Sequence, residues 1–185
     1  MAKTKEGKQA IFSTPLAISR LMALLPTANM KAVRWSVRVL ATLSMDSSGR
    51  AKLSSDVQSL GSGAIEALSV LLASSDVESV QCASLVVGNL VLDDTGRRLC
   101  LGSDTLLPNV RELLWSTDLK TQRYIAGALR NISFDSSGSI LSSDARLIGR
   151  LKELLSGTDE NTSATPLLCT HKFYDRACCV DMHKV

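Results

Sequence analysis

The chain has 185 residues, enough for one domain of ordinary size with a buried core. Hydrophobic residues make up 45% and charged residues 21%, which excludes a disordered polyelectrolyte, and a formal charge of +3 is too small to name nucleic acid as the partner. Two histidines and five irregularly spaced cysteines exclude a multi-histidine metal centre and a secreted disulfide scaffold, and aromatics at 4% leave the core to Leu, Val, Ile and Ala.

At the N-terminus, MAKTKEGKQ lacks the apolar segment of a signal peptide. No apolar run approaches the roughly 18 residues needed to cross a bilayer. The expectation is an intracellular protein, cytoplasmic or nuclear, without a membrane span. LMALLPTAN at 21–29 and VLATLSMDSSG at 39–49 come next, then ALSVLLASSD at 67–76 and VVGNLVLDDTG at 86–96. VRELLWSTD at 110–118, ALRNISFDSSG at 128–138 and LKELLSGTD at 151–159 complete the series. The Leu-Leu pairs end at Leu72, Leu114 and Leu155, 42 and then 41 residues apart, and Asn89 and Asn131 are again 42 apart. An Asp-x-x-Gly tag occurs at Asp46/Gly49, Asp93/Gly96 and Asp135/Gly138. The first offset is 47, so a loop after Asp46 is expected to carry about five extra residues. Several landmarks recurring in register make this an internal repeat.

Periodicity within each unit is helical. Leu106, Leu107, Val110, Leu113 and Leu114 form one apolar stripe, and Ile125, Ala126, Leu129 and Ile132 another. Ser75-x-x-Glu78 reads as a capping box, and Thr117 or Asp118 as the N-cap of the following helix. The Asp-x-x-Gly tag reads as the stop of the long helix, its glycine taking a left-handed conformation. No single helix can bury its stripe alone, so stacked units must supply the core.

A unit of about 42 residues with Leu-Leu, then a long helix ending in ALRNIS, resembles an armadillo repeat. DLKTQRYIAGALRNISFDSSGS at 118–139 is the copy closest to that family's third helix. The resemblance implies an all-α, right-handed solenoid with a short first, a second and a long third helix per unit. The third helices would line a concave groove. Units are expected at about 4–49, 50–96 and 97–138, with a partial fourth at 139–160, since Pro166 interrupts the next helix. KEGKQAIF at 5–12 would be the short first helix. Residues 161–185 are expected to be a non-repeat, poorly ordered tail. With no polar cap visible at either end, the chain reads as part of a longer array or as one that self-associates through an open face.

In armadillo proteins a groove asparagine holds the backbone of an extended peptide. The resemblance carries this role to Asn89 and Asn131, with Thr42 at the matching first-unit position. An amide supplies both donor and acceptor to a strand. The alternative is that each asparagine satisfies nearby carbonyls. Helical spacing then brings Arg38, Trp35, Arg34 and Lys31 to the first-unit stripe, Leu85, Cys82, Gln81 and Glu78 to the second, and Gly127, Tyr124, Arg123 and Lys120 to the third. Importin-α-like proteins place a Trp four residues before the asparagine; here Arg38, Leu85 and Gly127 occupy those places. Five cations against one anion suit an acidic peptide, which is closer to β-catenin/plakophilin-like or vacuolar-type armadillo scaffolds. The expectation is a non-catalytic protein-interaction scaffold. The alternatives are a nucleic-acid-associated or importin-like adaptor and a structural fragment of a larger scaffold.

Other signals are weak. Cys169, His171, Cys178, Cys179 and His183 match no usual zinc spacing, and Cys82 and Cys100 sit inside helical patterns. Asn131-Ile132-Ser133 and Asn161-Thr162-Ser163 fit a glycosylation sequon without a secretory signal to give it meaning. Gly61-Ser62-Gly63 reads as a connector and Asp93-Asp94 as part of the tag. With no nucleophile elbow, phosphate loop or metalloprotease motif, the sequence implies no enzyme, no metal and no cofactor.

Overall fold

The computed structural model describes residues 4–133 and 144–156, and among these it holds helices and no strand. The first unit is α1 (Lys5–Ser13), α2 (Ala17–Ala23) and α3 (Met30–Ser44), and the second is α4 (Ser47–Leu60), α5 (Ser62–Leu72) and α6 (Val77–Leu90). The third is α7 (Asp94–Leu101), α8 (Leu106–Glu112, finished by a tight turn at Leu113–Trp115) and α9 (Leu119–Ile132). Helix α10 (Ala145–Ser156) carries the next Leu-Leu pair. Asp135/Gly138, Asn161 and the tail cysteines and histidines lie outside the described residues.

Corresponding helices stack on one another. Helix α3 packs along α6 and α6 along α9, while α2 meets α5, α5 meets α8, and α4 meets α7. One continuous core runs through the units, with Leu40, Leu53, Leu68, Leu72, Val86, Leu90, Leu114 and Ile125 buried. Both predicted stripes face it: Leu106, Val110, Leu114, Ile125, Ala126, Leu129 and Ile132 are buried, and Leu107 and Leu113 pack against it partly covered.

Aspartates stand at the starts of α4, α6, α7 and α9. Asp76, rather than Ser75, caps α6, its carboxylate accepting from Ser79 N at 3.1 Å, so the Ser75/Glu78 capping box does not form. Asp118, rather than Thr117, caps α9 by accepting from Thr121 N at 2.8 Å. The Asp-x-x-Gly tag is likewise a start. Asp46 caps α4, accepting from Gly49 N at 2.8 Å, and Asp93 sits at the N-cap of α7. Neither tag glycine is left-handed; among the described glycines only Gly61 has positive φ. Gly49 and Gly96 are required by proximity instead. A Cβ at Gly49 would lie 1.8 Å from Leu43 O, and one at Gly96 would lie 2.1 Å from Leu90 O. The residue after each glycine completes the joint. Arg50 Nη1 donates to Met45 O at 3.1 Å and Arg97 Nε to Val91 O at 3.2 Å, each capping the end of the preceding third helix. The extra residues after Asp46 lengthen a helix rather than a loop: α4 has 14 residues and α7 has 8.

Polar rungs tie unit to unit. Lys8 Nζ donates to the Asp46 carboxylate at 2.6 Å, and Ser54 Oγ to that of Asp93 at 3.3 Å. Asn109 Nδ2 in α8 donates to Ser69 Oγ in α5 at 2.9 Å. Among the described residues the buried Ser84 hydroxyl in α6 makes no hydrogen bond. Ser84→Ala is therefore expected to stabilise the protein by about 1 kcal/mol, since the desolvated hydroxyl gains nothing in return. A higher urea midpoint with unchanged slope is the check.

Candidate functional site

The third helices present one polar face each, side by side. On α3, Lys31, Arg34, Trp35 and Arg38 are exposed, and Trp35 keeps 57% of its surface. The Arg38 guanidinium lies 4.9 Å from the indole centroid and pairs with Glu78 on α6 at 2.9 Å. Arg34 reaches further, its Nε 3.0 Å from both carboxylate oxygens of Asp76. On α6, Gln81 Nε2 makes the corresponding reach to Asp118, 3.0 Å from both oxygens. The first and second units thus each grip the N-cap of the next third helix. The hydrogen bond from Arg34, with that from Ser79, holds the Asp76 carboxyl at about 2 against the cost of its burial. For Asp118 burial pushes upward, but bonds from Thr121 and Gln81 outweigh it and the net shift is downward.

These acceptors change the charge of the groove. Lys31, Arg34, Arg38, Lys120 and Arg123 stand against Asp76 and Asp118 as well as Glu78, three acids rather than one. Asp76 and Asp118 lie at helix starts, off the stripe that the spacing defines. Lys31 and Lys120 have no acid within salt-bridge distance among the described residues; Lys120 Nζ sits 6.0 Å over the Tyr124 ring. Tyr124 and Cys82 are both half-buried, and burial is the first cause raising each of their pKa values.

The two asparagines lie deeper than the cations. Asn89 is 8% exposed and its Nδ2 donates to Ser44 Oγ on α3 at 2.9 Å. Asn131 is 6% exposed and its Nδ2 donates to Gly88 O on α6 at 3.2 Å. Both amides therefore bond to the preceding third helix. A Cβ at Gly88 would sit 3.4 Å from Tyr124 O, in ordinary contact with α9. Leu85 is buried, and Thr42 Oγ1 bonds back to Arg38 O at 2.8 Å. Trp115 is away from this face, at the end of α8, with Arg146 of α10 4.2 Å over its ring. Among the described residues no group of three metal-ligating side chains comes together. Nor is any helix there long and apolar enough to cross a membrane.

The rungs make acid sensitivity testable. A carboxyl whose pKa is depressed on folding stabilises above its unfolded value, near 3.8, and that stability drains as pH falls toward the folded value, about 2 for Asp76. Asp76→Asn keeps a good N-cap but removes the charge. Its unfolding midpoint is expected to fall less than wild type between pH 4 and 2, a window read directly from urea melts.

No protein-family model matches the sequence, and no curated protein is significantly similar to it. Solved structures do match. A crystal structure of an engineered protein superposes with TM-score 0.71 at 25% identity, over 87% of this chain and 65% of that one. A designed armadillo repeat protein in complex with the peptide (KR)4 gives TM-score 0.75 at 18% identity, over 94% and 71%. A second designed armadillo repeat protein gives 0.53 at 17% identity, over 88% and 84%. This chain spans just under two thirds of the first of these, 65%. The fold is an all-α solenoid of armadillo-type repeats.

Proposed function

We propose that this solenoid is a non-catalytic scaffold that holds an extended, acidic peptide segment along α3, α6 and α9. The observation that carries the reading is the continuous face made by these three helices, with Trp35, Arg38, Gln81, Lys120, Arg123 and Tyr124 along it. The peptide complex of the designed neighbour makes a peptide-holding role a natural use of such a fold. That neighbour carries (KR)4, whereas five cations face three acids here and two of the cations have no ion-pair partner among the described residues. The balance supports an acidic segment and, with it, a β-catenin-like use over cargo adaptor work. With their nitrogens bonded inward, Asn89 and Asn131 would meet a peptide N–H through their amide oxygens.

Exposed ion pairs contribute under about 1 kcal/mol each and a few neutral hydrogen bonds about 1 kcal/mol each, so a micromolar dissociation constant is expected. Fluorescence anisotropy with acidic and lysine-rich peptides of equal length tests the reading. Lys120→Glu/Arg123→Glu is expected to weaken the acidic peptide at least about tenfold, and Lys120→Glu alone to weaken it with the melting temperature held. Preference for the lysine-rich peptide, or indifference to the double substitution, would remove it.

A further inference from the structure

Positive charge is not spread evenly along the groove. It concentrates on α3, where Lys31, Arg34 and Arg38 share one face with the exposed Trp35. The neighbouring α6 offers Asp76, Glu78, Gln81, half-buried Cys82 and buried Leu85, and no cation. Arg34 and Arg38 are each committed to an α6 acid, but neither is used up. Arg38 pairs with Glu78 through Nη1 and keeps 44% of its side chain exposed, and Arg34 keeps 49%. Lys31 has no partner among the described residues.

Three kinds of anion meet this surface differently. A lone peptide carboxylate brings a single charge and gains no more than one exposed ion pair, at Lys31 or at the open side of Arg38. A chain acidic along its whole length gains at α3 but meets Asp76 and Glu78 as it crosses α6, which offsets part of that gain. A single phosphate carries about −1.5 to −2 charge and three acceptor oxygens at one point. Lys31 and Arg38 lie two turns apart on the helix, about 10 Å, with long side chains that can close on a group above Trp35. Such a group takes the ammonium of Lys31 and the outward N–H groups of Arg38 while both α6 acids stay in place.

We propose that the first-unit end of the groove recognises a phosphorylated side chain carried on an otherwise neutral extended peptide. This rests on the groove reading above and makes it narrower: the acidity of the partner is local and doubly charged. Phosphorylation of the partner then acts as the switch for docking.

The test uses the full chain and labelled peptides of about eight residues, long enough at roughly 3.3 Å per residue to run from α3 to α9. Each carries one phosphoserine, one serine or one glutamate at the same place, beside a polyaspartate peptide and an oligouridine RNA. The phosphoserine peptide is expected to bind at least about tenfold tighter than the serine and glutamate forms. Lys31→Glu, on an exposed side chain, is expected to abolish that gain and leave the melting temperature unchanged, and Arg38→Gln to reduce it. Equal binding of the glutamate and phosphoserine peptides, or full phosphopeptide binding by Lys31→Glu, overturns the phosphate inference and leaves the groove reading standing. Tighter binding of polyaspartate or RNA overturns it in favour of a polyanion site. Binding of none of the probes overturns both.

Discussion

Leu90→Ala is expected to lower the unfolding free energy by about 2–5 kcal/mol and the melting temperature by about 5–15 °C. Leu90 is fully buried at the end of α6, in the middle unit, and its carbonyl is the atom against which Gly96 packs. A cavity there weakens both neighbouring interfaces, because each unit of a solenoid is stabilised by the units beside it. Ile18 in α2 is also buried, at 2%, but belongs to the first unit and borders one neighbour. Ile18→Ala should therefore broaden the melt by loosening the first unit, while Leu90→Ala shifts the whole transition. Circular dichroism melts of the two variants separate these outcomes, and equal single shifts would contradict the nearest-neighbour picture.

Gly96→Ala gives the second large effect, a loss of about 1–3 kcal/mol. In an ordinary helix this substitution gains about 0.5–1 kcal/mol from propensity. Here the new methyl would stand 2.1 Å from Leu90 O and 2.8 Å from Leu90 C, backbone atoms with no rotamer to yield. Helix α7 must then move off the end of α6, stretching the bond from Arg97 to Val91 O. Gly63, near the start of α5, has nothing within 4 Å of its Cβ position. Gly63→Ala is accordingly expected to stabilise by about 0.5–1 kcal/mol. Opposite signs for the two glycines, measured in urea, are the signature of close approach rather than of conformational freedom.

What could be read in the sequence was set by range along the chain. The stripe Ile125, Ala126, Leu129, Ile132 is a local period, and every member is buried. The direction of the Asp-x-x-Gly tag is not local. Its glycine suits a helix stop and its aspartate a helix start, and what decides is the carbonyl of Leu43 or Leu90, which meets the glycine only once two helices have packed. Ser75 and Asp76 are adjacent N-cap candidates of equal standing. Asp76 takes the role, with Arg34, 42 residues upstream, held against its carboxylate. For the same reason the cations of the groove and Glu78 were legible at helical spacing, and Asp76 and Asp118, the other two acids facing them, were not. Arg34 and Gln81 find their partners in the next unit, beyond any window in which a pattern can be counted.

Four of the bonds between units, those that end on a carboxylate at a helix start, share an asymmetry. On the receiving side stands an aspartate each time: Asp46 and Asp93 on the first helices, Asp76 and Asp118 on the third. The reaching residue differs at every step, being lysine, serine, arginine and glutamine in turn. Each aspartate already occupies the N-cap of its own helix, so its position answers to local folding and not to the identity of its neighbour. The coupling behaves like a standard socket that accepts plugs of several shapes. A duplicated unit arrives with its sockets built in, and a plug that drifts from one donor to another still seats. An array assembled on that rule can lengthen by copying and diversify its working face without re-engineering the joint.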